Sequence, residues 1–131
     1  MTRRTQFEVD NLLALLLGAL FLGTGIAKIA SAEFVVATFG GWDHAPWLLT
    51  VLGAVEVLAA VLVLIPNSRT VGASILSVVM VGALGYHLLR AEWLLAALPL
   101  AILATGLTLL RLERALTRGS VRAFEGEVAP S

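Results

Sequence analysis

Four long apolar runs separated by short polar stretches set the pattern of this chain, over residues 11–27, 46–65, 70–89 and 93–110. Each run holds 17 to 20 residues, and a helix of that length, rising 1.5 Å per residue, crosses a hydrocarbon core of about 30 Å. The pattern predicts four membrane-spanning helices over about residues 8–30, 46–65, 70–89 and 93–110, with 111–131 as a polar tail. Pro66-Asn67-Ser68-Arg69 and Arg90-Ala91-Glu92 are tight turns, which force the helices on either side to run antiparallel. The expected fold class is an all-α, integral membrane, antiparallel four-helix bundle. Residues 31–45 carry Glu33, Asp43 and His44 among Phe34, Val35, Phe39 and Trp42. That segment is too short and too charged to span, and reads as an interfacial helix or an extension of the first helix ending at Gly40-Gly41. Ala30-Ser31-Ala32 resembles a signal-peptide cut site. The run before it is longer than the roughly 7–15 residues of a signal h-region, and Lys28 stands just before the cut, so the segment is expected to be retained.

Composition reinforces this pattern. Of 131 residues, 59% are hydrophobic and only 14% charged, and the mean hydropathy is +0.94. A chain this short cannot bury so much apolar surface against itself, and lipid resolves the excess. The formal net charge is zero, which leaves no basic field for nucleic acid. Cysteine is absent, so disulfides, CxxC redox chemistry and thiolate metal ligands are excluded. The only histidines are His44 and His87, a poor axial set for haem. No nucleotide-binding or metal-ligand spacing occurs, and there is no serine nucleophile elbow. No metal is expected, and the chain is not expected to be catalytic alone.

Charge counting orients the bundle. Placing the N-terminus in the cytoplasm puts Arg3, Arg4, Arg69, Arg111, Arg114, Arg118 and Arg122 on the inner side and only Lys28 and Arg90 on the outer. The positive-inside rule then predicts both termini cytoplasmic. Trp42, Trp47 and Trp93, with Tyr86 nearby, all fall on the outer side as an aromatic belt. Arg111, Arg114, Arg118 and Arg122 recur at spacings of 3, 4 and 4. They form a basic stripe if the last helix continues, suited to lipid head groups or to a simple solvated anchor. Gly119 is a possible stop, and residues 124–131 read as a loose tail.

The polar residues within the runs carry the candidate chemistry. Glu56 is the one acidic residue between Asp43 and Arg69, and a carboxyl at that depth needs a partner or a proton. Gly53, Glu56 and Ala60 share a helix face, as do Gly18, Phe21, Gly25 and Lys28. Gly18, Gly25 and Gly53 are expected to pack helices closely, with Gly25 leaving open space one turn below Lys28. Ala19, Gly23 and Ala27 form a second small-residue stripe. Lys28 and His87 lie near the outer ends of their helices, so an ion pair with Glu56 is expected to require helix one to continue past Lys28. Two readings stand. In one, Lys28, Glu56, His87, Tyr86 and Thr24 line a pocket for a quinone-like head group, with Glu56 relaying a proton. In the other, the pair fixes helix register and performs no chemistry.

Two stretches, GALFLGTGIAKI (18–29) and LGAVEVLAAVLVLIPNSRTVGA (52–73), resemble the DoxX-like family. There a glycine and then a lysine close the first helix, and a glycine and a glutamate precede an apolar run and an arginine after the turn. The resemblance covers about residues 12–110. It implies a small four-helix inner-membrane protein associated with an oxidoreductase complex, with quinone as the candidate ligand and other membrane subunits or a second copy as partners. The alternative it leaves open is a non-catalytic accessory subunit packed against a larger membrane complex.

Overall fold

The computed structural model describes residues 2–30 and 46–128. The segment expected at the interface, 31–45, lies outside the described residues, as do Trp42 and His44. Among the described residues four helices are present: α1 (Arg3–Ile29), α2 (Pro46–Leu64), α3 (Arg69–Leu89) and α4 (Trp93–Val128), with one 3-10 turn at Pro66–Ser68. Among the described residues there is no strand. All four helices are long and apolar enough to cross a membrane.

Local chemistry sets their ends. Thr2 caps α1, its Oγ1 accepting from the Thr5 amide at 3.3 Å, so the helix starts at Arg3 rather than near residue 8. The turn after α2 is closed by Ser68, whose hydroxyl donates to the Leu62 carbonyl at 3.0 Å. Between α3 and α4 the chain makes a Schellman turn. The Glu92 amide donates to the His87 carbonyl at 2.9 Å and the Ala91 amide to that of Leu88 at 3.1 Å. Ala91 occupies the left-handed position of this motif with φ 56°, where glycine is the favoured residue.

The helices pack in the cyclic order α1, α2, α3, α4, with α4 returning to α1. Their contacts run in opposite senses: Gly18 meets Leu64 while Gly25 meets Gly53, and Arg3 reaches Ser120 across α1 and α4. Glycine sets the spacing of α1 and α2. A Cβ on Gly25 would lie 2.8 Å from the Gly53 carbonyl oxygen, and one on Gly53 would lie 2.6 Å from that of Gly25. The space expected beneath Lys28 is therefore filled by the α2 backbone. Gly72 plays the same part between α3 and α2, where a Cβ would stand 2.6 Å from the Ala59 oxygen. A Cβ on Gly23 would meet none of the described residues within 4 Å; in the second small-residue stripe Ala19 and Gly23 are exposed and Ala27 is half-buried.

Small and medium side chains fill the interior, among them Ala14, Leu17, Phe21, Ala59, Val63, Leu76 and Leu109. The outer surface is covered by large apolar residues, with Leu89 91% and Leu94 88% exposed. Water would penalise such a surface, and lipid solvates it. The protein is an integral membrane protein.

Helix α4 departs most from expectation. It runs for 36 residues, roughly 54 Å at 1.5 Å per residue, and passes both residue 110 and Gly119 unbroken. Residues expected as a loose tail are helical as far as Val128. Arg111, Arg114, Arg118 and Arg122 are all exposed along this extension. Its polar residues are satisfied locally: Thr117 and Ser120 donate to the carbonyls of Glu113 and Leu116 at 2.9 and 3.0 Å. Within the apolar part, Thr105 and Thr108 bond back to Ala101 and Ala104, which removes the cost of a hydroxyl in lipid.

Gly25→Ala should destabilise the protein by about 1–3 kcal/mol through overpacking, whereas Gly23→Ala should be neutral or slightly stabilising, as read by unfolding in detergent. Ala91→Gly should stabilise by about 1 kcal/mol, because it relieves a left-handed alanine.

Candidate functional site

Lys28 and Glu56 meet between α1 and α2. The Lys28 Nζ donates to Glu56 Oε2 at 2.6 Å, and the Thr24 hydroxyl donates to the same oxygen at 3.3 Å. Both charged residues are buried, 8% and 2% exposed. Gly25 faces Gly53, and from that crossing Lys28 and Glu56 each lie three residues on, in opposite directions. Their axial offset is thus roughly 9 Å at 1.5 Å per residue. Side chains on a helix lean toward its N-terminus, so in this antiparallel pair the two lean toward each other and the gap closes. The pair forms although α1 ends at Ile29, so no extension beyond Lys28 is needed to make it.

The pair forms part of the wall of a half-open cavity of about 490 Å³ lined by all four helices. Phe21, Leu52, Met80 and Ile102 supply apolar lining, and Thr24, Lys28, Glu56, Tyr86 and His87 supply polar groups. Pro99 also lines it. With no amide hydrogen to give, Pro99 leaves a carbonyl one turn earlier in α4 without its helical partner. A mostly apolar pocket of this size with a few convergent polar groups suits a small organic ligand.

The structure thus brings all five expected residues to one cavity but divides them into two bonded groups. His87 does not join Lys28 and Glu56. Its Nδ1 lies 2.8 Å from Glu92 Oε2, and a carboxylate partner makes that nitrogen the N–H. The Arg90 Nε donates to the other oxygen of Glu92 at 2.9 Å, and Arg90 Nη1 donates to the Tyr86 hydroxyl at 3.1 Å. The Schellman turn places Glu92 directly under His87. The hydrogen bond from His87, and then Arg90, hold the Glu92 carboxyl below the usual glutamate range. The turn sequence Arg90-Ala91-Glu92 reads as plain punctuation, which hides Glu92's role as the partner of His87.

A family model for the DoxX-like family matches residues 12–109. The chain belongs to the DoxX-like family. No curated protein and no solved structure matches it. The match spans Lys28, Glu56, Arg69, His87 and Glu92, and the residues lining the cavity of this DoxX-like protein all lie within the matched range.

At the opposite end of the helices the DoxX-like protein holds a second buried ionic cluster. Arg69, 5% exposed, donates from Nη1 to Asp10 Oδ2, and to Asn11 Oδ1 and Glu113 Oε1, each at 3.2 Å. Its Nε donates to the Val63 carbonyl at 3.1 Å. Asp10 is 1% exposed. Arg69 is therefore a tie between α1, α2, α3 and α4, beyond the interfacial charge that the positive-inside count assigns to it. Asp10, at the polar edge of the first run, and Glu113, within the arginine stripe, gave no individual sign of being buried.

Lys28→Met alone, or Glu56→Gln alone, should cost about 3–5 kcal/mol because each strands a buried partner, while the paired replacement Lys28→Met/Glu56→Leu should cost much less. A double-mutant cycle in detergent unfolding reads this coupling. The lowered Glu92 pKa contributes stability that is present above the unfolded carboxyl value and lost as pH falls through the lower folded value. Glu92→Gln should therefore lower stability at neutral pH, leave it little changed in acid where the carboxyl is already protonated, and so flatten the acid limb of the stability profile below about pH 4.5.

Proposed function

We propose that this DoxX-like protein is a small subunit of an inner-membrane oxidoreductase assembly and that its cavity receives a quinone-class head group. The observation that carries this reading is the cavity of about 490 Å³, apolar on most of its wall, with the Lys28–Glu56 pair and His87 converging on it. An apolar aromatic ring suits Leu52, Met80 and Ile102. Its carbonyl oxygens suit the ammonium of Lys28 as donor, the hydroxyl of its reduced form suits the His87 Nε2 that the Nδ1–H bond to Glu92 leaves as an acceptor, and a carboxyl beside them can hold a proton. The residues present therefore fit such a group. The chain carries no cysteine, so in this reading electrons come from a partner subunit.

The same reading places both termini in the cytoplasm. Trp47, Trp93 and Tyr86 lie near the cavity end of the helices and the arginine-rich α4 extension at the other, in line with the positive-inside rule and an outer aromatic belt. It treats residues 111–128 as a cytoplasmic helix whose exposed arginines meet anionic lipid or a partner.

One observation favours a second reading, that of a non-catalytic accessory subunit. The Lys28–Glu56 pair sits one turn either side of the Gly25–Gly53 crossing, where it fixes helix register without any ligand. Binding separates the two. Purified full-length protein titrated with a short-chain quinone should bind it, and Lys28→Met should weaken binding by about tenfold or more, about 1.4 kcal/mol. Undetectable binding by a folded wild-type protein, or equal affinity in both proteins, would leave the accessory role standing.

A further inference from the structure

We infer that the cavity beside Lys28 and Glu56 opens sideways into the bilayer between α1 and α4, and that its ligand is an amphiphile whose long hydrocarbon chain leaves the protein through this seam. The inference rests on the quinone reading for the head group and adds the chain and its path. Two residues carry it. Leu20 on α1 and Leu98 on α4 line the cavity, yet they are 43% and 66% exposed. A side chain that borders both an interior space and the surroundings marks the mouth between them.

The two residues stand on facing flanks of their helices. Gly18 packs on α2, and Leu20, two residues on, is turned about 200° from it, to the opposite side of α1. Leu98 precedes Ser120 by 22 residues, about six turns, so it shares the face on which Ser120 meets Arg3 of α1. Depth agrees. Thr24 and Leu98 each stand five residues from the cavity end of their helices, and Leu20 and Ile102 each stand nine. All four line the cavity, so an α1 residue faces an α4 residue at each of two levels. Toward the other end the same helices are tied: Arg69 bonds both Asp10 and Glu113, and Arg3 bonds Ser120. The arginine-lined cavity at that end is separate. The α2–α3 seam is more closed, because Gly82 is the one exposed residue that either helix contributes to the lining of the Lys28–Glu56 cavity.

Polarity orients the ligand. Lys28 and Glu56 lie behind the mouth, and Thr24 on its edge turns its hydroxyl inward to Glu56. Leu20, Leu98 and Ile102 leave the mouth itself apolar. A wholly polar ligand has no favourable path from lipid past these side chains, and a wholly apolar one brings nothing to the polar groups inside. A cavity of about 490 Å³ holds a ring-sized head group, and a chain of many carbons must lie outside it. In the seam that chain exchanges lipid contacts for leucine contacts of the same polarity, so it adds little affinity per carbon. Its contribution is delivery: the chain keeps the ligand in the bilayer and brings the head group to a mouth that faces lipid.

Crosslinking in lipid nanodiscs tests this, with the full-length protein and a long-chain isoprenoid quinone that carries a diazirine on the first units of its chain. Crosslinks should fall on peptides containing Leu20 or Leu98. Excess short-chain quinone, which competes for the head-group position, should reduce them by about tenfold or more. Leu98→Trp fills the mouth from an exposed position and should reduce them to a similar extent. Val78→Trp, on a position 74% exposed and outside the cavity lining, should not. Crosslinks spread evenly over Val78 and Leu94, or centred on Gly82 and Leu52, or undiminished in Leu98→Trp, would overturn the inference; if short-chain quinone still binds, the head-group reading survives. Failure of short-chain quinone to bind the folded protein would overturn both.

Discussion

A lysine ammonium and a glutamate carboxylate lie 2.6 Å apart between two helices whose other contacts are almost wholly apolar. In lipid neither charge has water to fall back on, so each is tolerable only because the other is present. That requirement fixes the relation of α1 to α2. The helices must be antiparallel for the two side chains to lean toward each other, and close enough for a six-residue offset to be bridged. Gly25 and Gly53 supply the closeness. Side chain and backbone are thus mutually dependent: the glycines permit the pair, and the pair holds the register that keeps the glycines in contact.

The same logic is repeated at the other end. Arg69 begins α3, yet bonds residues of α1 and α4 and a carbonyl of α2. Between the two ionic ends lies an interior of Ala14, Leu17, Ala59, Val63 and Leu76, without a polar side chain to link them. Each end therefore has its own cavity and its own electrostatics. A chain of 131 residues with little core of its own is held at two polar ties, and the apolar remainder of its surface is left to the bilayer.

Much of the fold was legible in the residue pattern, because run length and hydropathy report the membrane directly. Three helix starts and all the close-packed glycines named beforehand fall where periodicity put them. Gly72 was missed, since one glycine in an apolar run does not show which backbone it meets. The reach of the last helix stayed open in the sequence because its second half is polar. A polar helical extension looks, in sequence, like a tail, and Gly119 weighs more as an isolated breaker than it does inside an established helix. For the site, residue type and helix face pointed to Lys28, Glu56, Thr24, Tyr86 and His87 and to a Lys28–Glu56 pair, but not to the partner of His87. His87 turned to Glu92 because the turn geometry places that carboxylate nearer than Glu56, and backbone turns of this kind are not visible in spacing. Asp10, Arg69 and Glu113 are separated by 59 and 44 residues, and only folding reveals that they meet.

On the function proposed above, the space beside Lys28 and Glu56 is a ligand site. Photoaffinity labelling tests it most directly, using the protein in its native membrane and a quinone whose head group carries the photoreactive centre. The account predicts labelling confined to peptides containing Met80, Tyr86 or His87, and its loss when unlabelled quinone competes. Labelling spread over lipid-facing positions such as Leu94 and Val78, unaffected by competition, would contradict it and leave the ion pair as a purely structural tie.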